Sequence, residues 1–256
     1  MLRSAAEPPT APRVGGQWAV VVPAKSLSRA KSRMTAELSD PARRLLVRAM
    51  LLDVLAASLR CPVVDVVAVV TADRELASLA AGAGARVLAE FDEPSAEPLV
   101  VSGGDQTFRY AAAVGLSWAR KSPAPYARVA VLASDLPGIT IGELDSALDA
   151  ASSVDRGFVP DADEAGTTLA TFNANCEVAD DIRTFFGPNS AREFASSGAH
   201  DLASGARWNG LRRDVDSIAH LGSISDLGEH TRQVVDSWLA DVPNTHAPRS
   251  LGKMKG

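Results

Sequence analysis

Apolar residues recur along this chain with two alternating periods. The run from Trp18 to Val22 is continuously apolar, and a stretch with helical spacing follows from Asp40 to Leu59. A second apolar run, Val63 to Thr71, leads into a short Ala-rich helical segment and then a run from Arg86 to Ala89. The pattern goes on with a helix over about Phe108 to Arg120, a strand at Arg128 to Ala133, a helix from Ile141 to Ala151 and a strand at Gly157 to Val159. Strands alternating with helices predict an α/β fold with a mostly parallel sheet. VDVVAVVT and RVAVLAS have no polar alternation, as expected of strands covered on both faces. In such sheets ligands bind beyond the carboxyl ends of the strands, so the residues just after each strand are where chemistry is to be sought.

Composition narrows the field. With 256 residues, nearly half of them apolar, the chain has enough material for one packed domain, expected over residues 17–240. Residues 1–16 and 241–256 lack periodicity and read as disordered tails. A net charge of −5 repels polyanions, which argues against a nucleic-acid partner. Two cysteines, Cys61 and Cys176, make neither a disulfide framework nor a metal pair. The apolar runs are too short for a membrane span or a secretory signal, so the expectation is a cytoplasmic protein with no membrane partner.

Four clusters follow predicted strands. The loop PAKSLSRAKSR places Lys25, Arg29, Lys31 and Arg33 within nine residues; on a generic loop this reads as a solvated basic turn, but directly after the first strand such a density of cations suits a phosphate chain. It has the glycine pattern of neither a Walker loop nor a dinucleotide fingerprint. SGGDQT, at 102–107, opens a helix and offers backbone N–H groups to a phosphate or base edge, and it reads equally as a turn with an N-cap. In ASDLP, Asp135 ends a strand, where a hard divalent ion would bridge protein and phosphate; it would serve as well to cap the turn near Ile139. In RRDVDS, Asp214 and Asp216 alternate along an apparent short strand and share a face with Arg212. That face fits a metal site or an Arg212–Asp214 ion pair. The GTT and FGPNSAR segments read, taken alone, as ordinary turns.

In this order, VVPAKSLSRAKSRM, ASDLP, GTT, FGPNSAREF and GLRRDVDS resemble the phosphoenolpyruvate or 2-phospho-L-lactate guanylyltransferases of deazaflavin coenzyme (coenzyme F420) biosynthesis, over roughly residues 17–230. The resemblance implies a single Rossmann-like, GT-A-like nucleotidyltransferase sandwich that consumes GTP and releases pyrophosphate. It assigns Lys25, Lys31 and Arg33 to the reacting phosphates, Asp135 and Asp216 to Mg2+, and Gly104, Gln106 and Ser134 to the nucleotide. Thr167, Gly187 and Ser190 would bind the acceptor, a small phosphorylated acid. Phosphoenolpyruvate is the expected acceptor, with 2-phospho-L-lactate or 3-phosphoglycerate as alternatives, and a catalytically silent nucleotide-binding relative is the reading from another class. A homodimer is compatible with the sequence. The chain departs from the family pattern at Asp105-Gln106, where a Leu-Asn pair is common, and at Ser217-Ile218, where Thr-Pro is usual. The stretch from Leu169 to Phe186 is longer than usual.

Overall fold

The computed structural model describes residues 18–28, 30–89, 106–122, 126–173 and 189–240. The predicted tails 1–16 and 241–256 lie outside the described residues, as do Arg29, Gly104, Cys176 and Gly187.

Among the described residues seven strands form one sheet: β1 (Trp18–Pro23), β2 (Val64–Thr71), β3 (Arg86–Ala89), β4 (Arg128–Leu132), β5 (Arg156–Pro160), β6 (Thr167–Asn173) and β7 (His200–Asp201), in the order β3-β2-β1-β4-β6-β5-β7. β1 lies between β2 and β4 and is parallel to both. The chain builds outward from β1 through β2 to β3, then returns to place β4 on the other side of β1. That reversal makes the crevice between β1 and β4 a topological switch point.

Alternation along β1 sends Trp18, Val20 and Val22 to one face and Ala19 and Val21 to the other, all buried. The first face packs against α1 (Asp40–Arg60), α2 (Arg74–Gly82) and α4 (Ile141–Ala151) through Leu51, Val54, Leu55, Leu76, Leu144 and Leu148. The second packs against α3 (Gln106–Lys121) and α5 (Ser190–Ser196) through Ala111, Leu116, Ala119 and Phe194. The result is a three-layer sandwich. Burying each such aliphatic side chain contributes roughly 1.5–3 kcal/mol, so the covered valines of β1 rank among the strongest local determinants of the fold. α1 starts at Ser39, whose side chain accepts from the Ala42 N–H, with Pro41 in its first turn. Its Leu46 and Met50 face a smaller cluster with Met34, Val215 and Leu221. Three further helices follow among the described residues: α6 (Asn209–Arg212), α7 (Ile218–Gly222) and α8 (Glu229–Ala240).

Two expectations need correction. The GTT segment is no turn, since Thr167 and Thr168 begin β6, which runs antiparallel to both β4 and β5. The connection from β5 to β6 spans only 161–166, too short for the crossover that a parallel neighbour needs. Residues 213–216 form no strand either. They follow α6 as extended chain, tied to the 133–140 segment by the Val215 N–H donating to the Asp135 carbonyl at 3.1 Å.

Candidate active site

The chain after β1 turns back over the carboxyl end of the sheet. Ala24 stays registered with β2 through its N–H to the Val70 carbonyl, 2.9 Å, and Lys25 follows, half-buried, at the root of the loop. Lys31 takes a left-handed backbone conformation, φ 53°, and begins a short 3-10 turn, Ser32–Ala36, anchored by buried Met34. The reversal at Lys31 turns its side chain back over the end of β4. Its ammonium pairs with Asp135, and with Asp216 at 2.8 Å. Arg33, largely solvent-facing, reaches the other Asp216 oxygen at 3.1 Å.

Asp135 follows β4 and Ser134, which is half-buried. Asp135 does not cap the next helix. Thr140 does, in a reciprocal capping box with Glu143, which leaves the Asp135 carboxylate for the crevice. Asp214 and Asp216 keep the alternation expected of them without a paired strand, because Val215 between them is fully buried. Arg212 is turned away from both: its guanidinium donates to the Pro160 and Asp161 carbonyls at 3.1 and 2.9 Å and lies 3.6 Å from Glu164. Of the two readings of this segment, the Arg212–Asp214 pair is therefore the one the structure does not form. Arg212 instead binds the 161–166 hairpin to the acidic segment, and the Ala162 N–H reinforces this by donating to the Arg212 carbonyl at 2.7 Å.

The outcome is a carboxylate cluster in which Asp135, Asp214 and Asp216 each present an oxygen within 4.8 Å of the others. Its electrostatics are uneven. Burial pulls the Lys31 ammonium down, but Asp135 and Asp216 outweigh it and hold the group well above the ordinary lysine range. Burial pulls Asp216 up, while Lys31, Arg33 and His220 more than offset that and keep it below the usual carboxylate range. Asp214 is pushed up to about 7 by burial and by the neighbouring charges of Asp135 and Asp216, with Lys31 only partly compensating. Among the described residues Asp214 has no hydrogen-bond or ion-pair partner. Three carboxylates face two cations, and all the donors are hard oxygens. This set fits a small divalent ion.

Thr167 and Ser190 come together although 23 residues separate them: the Ser190 hydroxyl, buried at the start of α5, lies 3.0 Å from the Thr167 hydroxyl. The Ala191 N–H donates to the Ala165 carbonyl at 3.2 Å, which fixes α5 against the β5–β6 hairpin. Gln106 opens α3, but its side chain, like Gly104 and Gly187, lies outside the described residues. Asp214 belongs to the acidic cluster on equal terms with Asp135 and Asp216, as the metal-site reading of the Asp-Val-Asp alternation allows, although the resemblance assigned only Asp135 and Asp216 to the ion. One feature escaped sequence reasoning. His220, outside every motif, accepts from the Asp216 N–H through Nδ1 at 3.4 Å, and no linear pattern announces that contact.

A switch-point crevice with a basic loop after β1, Asp135 after β4, and Asp214 and Asp216 brought in beside it is a site for a phosphorylated ligand and a divalent ion, as nucleotidyl transfer requires. A crystal structure from Desulfovibrio desulfuricans G20, assigned as a nucleotide-diphospho-sugar transferase, shares the fold with a TM-score of 0.63, 17% identity and coverage of 88% of this chain and 96% of that one. The family described as "Guanylyl transferase CofC like" matches residues 18–96. The phosphoenolpyruvate guanylyltransferase of Sanguibacter keddieii is 38% identical, covering 86% of this chain and 85% of its own length, and that of Streptomyces coelicolor is 39% identical over 83% and 92%. The chain belongs to this guanylyltransferase family and is an enzyme of the nucleotidyltransferase type.

Proposed function

We propose that this protein transfers GMP from GTP to phosphoenolpyruvate, giving enolpyruvyl-diphospho-guanosine and pyrophosphate, a step of coenzyme F420 biosynthesis. The observation that carries the reading is the convergence of Lys31 and Arg33 with Asp135, Asp214 and Asp216 at the ends of β1 and β4, in a chain whose relatives bear that activity in their names.

In the proposed reaction a phosphate oxygen of the acceptor forms a bond to the α-phosphorus of GTP as the bond from that phosphorus to the β-phosphate bridge breaks, and the electron pair leaves with pyrophosphate. A phosphomonoester is largely ionised above its second pKa of about 6, so the nucleophile needs no strong general base. The obstacle is bringing two anions together. Each unscreened pair of charges at about 4 Å costs roughly 1–4 kcal/mol, depending on the effective dielectric. Lys31 and Arg33 meet this charge from one side, and Lys25 stands at the root of the same loop. Asp135, Asp214 and Asp216 would hold Mg2+. When bound, that ion supplies charge neutralisation and orientation of the phosphate chain. The Thr167–Ser190 hydroxyl pair offers two O–H donors suited to an anionic acceptor, the role the resemblance implies for both residues.

The decisive assay incubates the purified protein with GTP, Mg2+ and, separately, phosphoenolpyruvate, 2-phospho-L-lactate and 3-phosphoglycerate, and identifies the products by mass spectrometry. A guanylylated phosphoenolpyruvate formed with stoichiometric pyrophosphate is expected. Preference for another acid would move the acceptor, and the absence of any guanylylated product with all three would sink the reading.

A further inference from the structure

The loop that delivers Lys31 is held from below by two residues outside the site. Arg43, in the first half of α1, is buried, and its guanidinium donates to the carbonyls of Leu27, at 3.0 Å, and Ala30, with a further contact to Asp40. Asp73 stands on the opposite side, at the junction of β2 and α2. One of its oxygens caps α2 by accepting from the Glu75 and Leu76 N–H groups at 2.9 and 3.3 Å. The other accepts from the Leu27 N–H at 2.9 Å and the Ser26 hydroxyl at 3.2 Å. The peptide groups of Leu27 are thus gripped at both poles, the carbonyl by a cation and the N–H by an anion. Leu27 itself is fully buried in the main core, so the turn has little freedom to slide.

From this geometry we infer that Arg43 and Asp73 are positioning residues for guanylyl transfer, clamping the backbone at Leu27 and Ala30 so that Lys31 arrives in its left-handed conformation over Asp135 and Asp216. Neither touches the acidic cluster, and both act through Lys31. The inference rests on the activity proposed above. The lowered position of the Asp73 carboxyl is consistent with it: burial raises the group, but the N–H groups of Leu27, Leu76 and Glu75 and the Ser26 hydroxyl together outweigh that. Preorganisation of this kind matters because a displacement of about 1 Å in a reacting constellation can lower a rate by about a hundredfold.

Asp73→Asn is the sharpest probe. The amide oxygen retains the α2 cap, while the amide NH2 meets the Leu27 N–H donor to donor. Arg43→Lys keeps the charge and loses the two-carbonyl grip. Turnover is measured for each variant, alone and combined with Lys31→Ala, alongside hydrogen exchange of the 24–36 segment and thermal melts. The expected result is at least a roughly tenfold fall in kcat for Asp73→Asn with its melt preserved, shrinking to less than about twofold in the Lys31→Ala background, as coupled residues require. Faster exchange at the Leu27 and Ala30 amides should accompany it. Equal losses in both backgrounds would overturn the inference, and so would unchanged exchange, or full turnover with a loosened loop. If the unaltered protein makes no guanylylated product, the proposed function fails, and the exchange data alone decide whether the clamp exists. Should Asp73→Asn fold poorly, Arg43→Lys carries the same cycle.

Discussion

Lys31 and Asp214 divide the electrostatics of the crevice between them. Lys31 is the buried cation that two carboxylates share, so its removal leaves Asp135 and Asp216 facing each other and takes away a charge aimed at the phosphates. Lys31→Ala is expected to lower kcat by at least about tenfold, or about 1.4 kcal/mol in activation free energy, with the far-UV circular dichroism unchanged. Near-normal turnover would remove Lys31 from the chemistry. Asp214 behaves in the opposite way. Its carboxyl, pushed up to about 7, lies above the ordinary unfolded value near 3.9. An acid raised on folding adds its stability at low pH and loses it as pH rises through the folded pKa, so above about 7 the ionised group is a burden on the metal-free protein. Asp214→Asn should therefore melt higher than the unaltered protein at pH 8 in chelator, by a smaller margin at pH 5, and show no gain below the unfolded value of about 3.9. With Mg2+ the order at pH 8 should reverse, because only the intact cluster gains from binding the ion. A melt difference independent of pH would refute this account. Asp135 and Asp216 were legible in the sequence because position after a strand and alternation are local properties. The standing of Asp214 was only half legible, since it depends on which residue fails to pair with it, and Arg212 turns to the hairpin carbonyls instead.

At the scale of elements, the site depends on how closely the segment after β4 meets the segment carrying Asp214 and Asp216. Gly210 in α6 packs against the Gly138 carbonyl so tightly that a Cβ at 210 would overlap that backbone, and Glu143 of α4 accepts from the Gly210 N–H at 2.9 Å. Backbone cannot yield as a flexible side chain does. Gly210→Ala should destabilise the protein by about 1–3 kcal/mol, as overpacking generally does, and should weaken Mg2+ binding by shifting Asp214 and Asp216 away from Asp135. Titration of the variant with Mn2+, followed by electron paramagnetic resonance, checks the second effect. Unaltered Mn2+ affinity in a destabilised variant would show that the close approach serves packing alone. Most elements could be placed from periodicity: β1, β2, β3, β4 and α4 match within about two residues, the usual uncertainty of element ends. β6 could not. TTLATFN is a continuous buried run, but its identity as a strand inserted between β4 and β5 is set by the short hairpin and by pairing partners distant in sequence. The metal-site reading of Asp214 and Asp216 needed only their alternation, so the absence of a strand there cost it nothing.

For the molecule as a whole, the question is how the last helix is joined to the rest. α8 packs on α1 rather than on the sheet, beside the cluster of Met34, Leu46, Met50, Val215 and Leu221 that underlies the acidic segment. The junction is polar and buried. Asp53, in the middle of α1 and 5% exposed, accepts from the N–H groups of His230 and Thr231, each at 2.9 Å, and so caps α8 from another helix. Gly228 has no Cβ because Asp53 occupies that space. A carboxylate so placed meets two otherwise unpaired donors and the positive end of the α8 dipole. Asp53→Ala leaves those donors buried and should cost about 1–3 kcal/mol. If residues 17–240 form one cooperative unit, as we propose, the loss must appear as a lower midpoint of a single transition seen alike by far-UV circular dichroism and by tryptophan fluorescence. An early separate transition, with α8 released while the sheet persists, would instead make the C-terminal helix an independent appendage. The Met34–Val215 cluster would then have to be stable without it, and the geometry of Lys31, Asp214 and Asp216 would owe nothing to the end of the chain.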